Sequence, residues 1–115
     1  MRQGNCIGQL SEGNLLLSER ESVAKKLFMV VERFKGGDAV PVYRRFREQG
    51  RMAPEGLTYV ASWVNDDFTI CFQVMESIDP RLLEKWMSCW SDLVEFEVHP
   101  VMTSKEALER IAPKL

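Results

Sequence analysis

No stretch of this 115-residue chain approaches the roughly 20 consecutive apolar residues needed to span a bilayer, so a transmembrane helix is not expected. The opening residues, MRQGNCIGQL, lack the continuous apolar run of a secretory signal. Cysteine is scarce: Cys6, Cys71 and Cys89 are odd in number and form no C-x-x-C pair. That usage fits a reduced compartment, so a cytoplasmic location is expected. Two or three cysteines with the single histidine are not expected to build a structural zinc site unless acidic residues help, and no metal is expected. An excess of one charge is missing as well. Fifteen Lys and Arg stand against 17 Asp and Glu, a net charge of -2, which gives no general attraction to nucleic acid or an anionic membrane. Glycine-rich phosphate loops and nucleophile elbows are absent, and no cofactor is expected.

What is present is an ordinary globular composition, 45% apolar, at a length that suits one domain with a real core. Residues 1–24 differ from the rest, being rich in Gly, Ser, Asn and Glu. They read as an N-terminal extension, flexible or forming a short helix behind the capping-box pair Ser18 and Glu21. Residues 25–115 read as a single α+β domain. Leu27 to Phe34 is apolar at almost every position, the pattern of a strand buried on both faces. Gly36-Gly37-Asp38 breaks it, and Ala39 to Gly50 carries Val42, Tyr43 and Phe46 as a helical stripe. Leu57 to Asn65 and Phe68 to Glu76 predict a hairpin turning at Asp66-Asp67. Asp79-Pro80 opens a second helix with apolar Leu82, Leu83, Trp86, Cys89 and Trp90. Leu93 to Val101 alternates as a last strand, and Lys105 to Ala112 forms a short C-terminal helix.

The order β-α-β-β-α-β is that of the ferredoxin-like fold, a four-stranded antiparallel sheet with both helices on one face. The first strand is greasy on both sides, while the helices cover one. A second copy of the same sheet is the economical cover, so a homodimer is expected. In the hairpin, a two-residue turn sets Trp63 opposite Ile70, Ala61 opposite Phe72 and Tyr59 opposite Val74, a strongly apolar face. The other face is mixed, with Ser62, Cys71 and Gln73. The helices are expected on the apolar face and a pocket on the mixed one, although the first strand leaves the inverse assignment open.

The runs LFMVVERFKGGD (27–38), VYRRFREQGRMAPEGLTYVASWV (42–64) and CFQVMESIDPRLLEKWMSCWSDLVEFEVHPV (71–101), with the trailing TSKEA, resemble an uncharacterised family, domain of unknown function 3303. The resemblance covers about residues 27–110. It implies a dimeric α+β barrel and brings no activity with it.

Candidate site residues follow from the mixed face. His99, the only histidine, is the one side chain whose ordinary pKa lies near neutrality; it is either a general base oriented by Glu97 or Glu32, or a solvated strand-end residue. Glu32 and Arg33 interrupt an apolar strand, so one of them should face a cavity or rim, or the two should be held in ion pairs. Ser62 and Gln73 complete the set of ligand-binding candidates. Arg44, Arg45, Arg47 and Arg51 read as a solvated helix face rather than an anion site. The functional expectation is a homodimer binding a small molecule on the sheet face opposite the helices. The alternatives are a cofactor-independent enzyme such as a monooxygenase or isomerase, and a structural or regulatory interaction protein.

Overall fold

Leu27 to Phe34 is hydrophobic because it lies at the centre of a sheet, with a strand on either side. The computed structural model describes residues 25–115; the expectation for residues 1–24 lies outside them. In chain order the elements are β1 (Lys26–Phe34), α1 (Val40–Gln49), β2 (Leu57–Val64), β3 (Ile70–Ser77), α2 (Pro80–Ser88), β4 (Val94–Val101) and α3 (Ser104–Ile111). The antiparallel sheet has strand order β2-β3-β1-β4. This is the α+β, ferredoxin-like arrangement that the order of elements predicts.

Local chemistry sets the helix ends. Pro41 stands in the first turn of α1, and Asp38 Oδ1 accepts from the Val40 N–H at 3.0 Å. Asp79 caps α2, accepting from the Arg81 N–H, with Pro80 at the first helical position. Thr103 caps α3 by accepting from the Glu106 N–H.

The hairpin register differs from the expected one by two residues: Trp63 pairs with Phe72 and Ala61 with Val74. The cause is a longer turn. The Asn65 N–H donates to Ile70 O, the Asn65 side-chain oxygen accepts from the Thr69 and Ile70 N–H groups, and Phe68 adopts φ 60°. An even displacement preserves the faces of Ala61, Ser62, Trp63 and Val64. A bulge between Tyr59 and Ala61 moves Tyr59 to the face of Ser62, and their hydroxyls meet at 2.9 Å.

The face assignment is the inverse of the expected one. Both helices pack on the side that carries Ser62, Cys71 and Gln73. Phe28, Val30, Phe34, Met75 and Val94 from the sheet meet Val42, Leu83, Trp86 and Trp90 in one core. The physical reason lies in β4. Register places Phe96, Glu32 and Cys71 side by side, and Val98, Val30 and Gln73 in the next row. The apolar side of β4 therefore shares a face with the mixed side of the hairpin. Burying the hairpin's apolar face instead would have put Glu95, Glu97 and His99, together with Arg33, under the helices, where desolvating them is costly. The far face, with Met29, Val31, Ala61, Trp63, Phe72 and Val74, has no covering element among the described residues; Trp63 is 59% exposed there.

Candidate functional site

A cavity of about 110 Å³ lies between α1, the end of α2 and the helix-facing side of the sheet. Its floor is polar: Glu32 from β1, Ser62 from β2, and Cys71 and Gln73 from β3. Phe34, Tyr43, Phe46, Trp86 and Trp90 form apolar walls. Arg51, from the segment joining α1 to β2, closes one side.

Arg51 is held there by two tryptophans. Trp86 and Trp90, four residues apart, both donate their indole N–H to Arg51 O, at 3.0 and 3.1 Å. A buried indole N–H needs an acceptor, and one backbone carbonyl serves both. The Arg51 guanidinium then lies 3.8 Å from the Tyr59 ring centroid and 5.1 Å from that of Phe46, stacking on aromatic faces. Its Nη1 donates to Gln73 Oε1 at 2.6 Å, and Gln73 Nε2 donates to Glu32 Oε2 at 2.9 Å. The result is a relay from guanidinium through amide to carboxyl, with Gln73 2% and Glu32 8% exposed.

Burial dominates the electrostatics. It raises the Glu32 carboxyl from its ordinary 4.5 to about 7, against the opposing pull of the Arg51 charge. The Cys71 thiol is pushed up to about 12 by burial and by Glu32, which keeps it protonated and poorly nucleophilic. Burial also raises the Tyr43 phenol, with Cys71 and Glu32 adding to the shift. Near neutral pH the cavity thus holds one permanent cation, two neutral weak acids, and one carboxyl poised between charge states.

The expected site residues separate across the sheet. Glu32, Ser62 and Gln73 come together in the cavity. Arg33 and His99 lie on the far face: Arg33 Nη1 donates to Glu97 Oε1 at 2.8 Å, and His99 Nε2 to Glu97 Oε2 at 2.6 Å. All three side chains are about half exposed. Both partners hold Glu97 below the usual carboxylate range, Arg33 the more strongly. Alternation along β1 puts Glu32 and Arg33 on opposite faces, so the pair divides between cavity and surface ion pair.

The arginine reading needs correction at two positions. Arg45 is not simply solvated. It donates to both Asp92 oxygens at 2.8 and 2.7 Å and to Cys89 O at 3.0 Å, tying α1 to the end of α2. Arg51 belongs to the cavity. A broader depression of about 660 Å³ near Gly37, Arg44, Arg47 and Phe68 is a surface hollow lined by exposed side chains, without a buried titratable group. Among the described residues, no three His, Cys, Asp or Glu side chains are placed to hold a metal ion.

A family model described as a domain of unknown function, DUF3303, matches residues 26–115. The chain belongs to this family. The DUF3303 match starts at the first residue of β1 and takes in all seven elements, so cavity and open face both lie within it. Comparison with curated proteins and with solved structures finds no match. No described helix is long and apolar enough to cross a membrane.

Proposed function

We propose that this protein is a homodimer that binds a small organic molecule in the cavity between the helices and the sheet. One observation carries the reading: a carboxyl buried to 8% exposure faces a void. Burying a carboxyl without full compensation is costly, and a ligand that satisfies it recovers that cost. The pocket lies beneath the helices, not opposite them, because Glu32 and Gln73 face that way.

The second copy covers the far face. Trp63, at 59% exposure, and Phe72, at 37%, leave a sheet surface that a two-fold pairing would bury isologously. A cytoplasmic location is also part of the proposal; it rests on the sequence reading alone, and cell fractionation tests it.

Trp86 and Trp90 give the pocket its own reporter. In a Trp63→Phe background, small neutral, acidic and basic compounds of up to about ten heavy atoms are titrated while indole emission is followed. A saturable change that disappears when Ser62→Leu fills the floor is the expected result. Emission unmoved by every compound would sink the pocket reading.

The same Glu32 favours a second reading, a cofactor-independent isomerase, because a carboxyl with pKa about 7 suits proton transfer near neutrality. A bound compound whose carbon-bound hydrogen exchanges with solvent deuterium only when Glu32 is present would move the assignment from binding to catalysis.

A further inference from the structure

Above about pH 7, with Glu32 ionised, charge in the cavity is balanced before any ligand enters. Glu32 and Arg51 are its only oppositely charged groups; Cys71 and Tyr43 stay protonated near neutral pH. An anion meets the Glu32 carboxylate, and the Arg51 guanidinium is already shared with Gln73 and with the Tyr59 and Phe46 rings. A cation meets the Arg51 charge. A neutral molecule therefore enters at the lowest electrostatic cost.

The polar floor offers a carboxylate oxygen without a partner among the described residues. Gln73 is used at both ends, and Ser62 Oγ is engaged with the Tyr59 hydroxyl. Glu32 Oε2 accepts from Gln73, whereas Glu32 Oε1 has no hydrogen-bond partner among the described residues. An ionised carboxylate accepts and cannot donate, so its complement is an O–H or N–H donor. The rest of the lining is largely aromatic, which suits a flat ring. The volume, about 110 Å³, is of the order of the ~150 Å³ apolar void that admits benzene in an engineered protein core.

We propose that the pocket takes a neutral, single-ring hydroxylated aromatic of phenol size, its hydroxyl donating to the Glu32 carboxylate and its ring held among Tyr43, Phe46, Trp86 and Trp90. This specifies the ligand class of the site proposed above and rests on that reading. Ionisation of Glu32 then controls uptake. The titratable groups that face it are Arg51 before β2, Cys71 on β3 and Tyr43 on α1. The shifts on Cys71 and Tyr43 carry both away from neutrality, so of the shifted groups in the cavity it is Glu32 that titrates between pH 6 and 8.

Phenol, toluene and benzoate are titrated into the full chain carrying Trp63→Phe, with indole emission as readout. At pH 8 phenol is expected to bind at least tenfold more tightly than either of the others. Its affinity should rise by close to tenfold from pH 6 to pH 8, as the carboxylate fraction does for a group with pKa about 7. Glu32→Leu is expected to reduce phenol to the toluene level. If that variant does not fold, Glu32→Gln, which retains the shape, carries the test through a flat pH profile. Toluene or benzoate binding as well as phenol, or a Glu32→Gln profile like that of the parent, overturns the ligand class and leaves the pocket reading standing. Silence from all three probes and from the wider compound set overturns both.

Discussion

Glu32 is an acid placed where its charged form is least welcome. In an unfolded chain it ionises near 4.5, and in the folded protein near 7, because burial outweighs the attraction of Arg51. Between those values the unfolded state binds fewer protons than the folded state, so stability falls as pH rises through this window. The full penalty, about 3 kcal/mol, is present above pH 7 and absent below about 4.5. Glu32→Gln, near-isosteric and still able to accept from Gln73, is accordingly expected to be more stable than the parent at pH 8, by up to that amount. Urea unfolding at pH 8 and at pH 4 checks this, and the two proteins should converge at the lower pH. Glu32 was legible as a candidate because a charge inside an apolar strand needs an explanation. Arg51 was not: its position depends on two indole N–H groups, 35 and 39 residues away in the chain, that share its carbonyl oxygen.

At the scale of the element, α2 matters most to the site, because it carries Trp86 and leads into Trp90. Its start is held by the Asp79 cap, whose side chain accepts from the Arg81 N–H at 3.0 Å. Asp79→Ala is expected to cost about 1 kcal/mol, read as a lower urea midpoint at an unchanged slope. Caps, prolines and 3.6-residue stripes are local signals, which is why both central helices and the short α3 are readable to within a residue or two. The hairpin shows where local reading stops. Its turn residues, Asp66-Asp67, fit a two-residue loop, yet Asn65 closes a longer one with its own side chain. The bulge beside Tyr59 has no glycine or proline to announce it and re-aims one side chain towards the pocket.

At the scale of the molecule, the sheet is covered by helices on one side only. The far face exposes Trp63 on β2 and Phe72 on β3, and the Arg33–Glu97–His99 cluster lies towards its other edge, on β1 and β4. Light scattering of the purified protein at micromolar concentration is expected to give twice the 13.3 kDa chain mass. Phe72→Glu, which places a charge in the middle of that face, is expected to return the monomer while leaving cavity binding intact. A monomeric mass for the parent protein would refute the pairing. Because the cavity is built by one chain, its binding reading would survive that result.

By itself the sequence determined what depends on neighbours in the chain. The order of strands and helices, the two-sided burial of β1 and the caps of α2 and α3 all follow from period, turn residues and propensity. The α+β class follows from that order. The tertiary structure alone decided which face of the sheet the helices would take. That choice is a sum over four strands, and the hairpin, read alone, points the wrong way. The acid, amide and thiol of the floor were set under the helices because β4 could not bury Glu95, Glu97 and His99. The pocket exists because the cost of desolvating three charged or polar groups exceeded that of burying Glu32 beside Gln73.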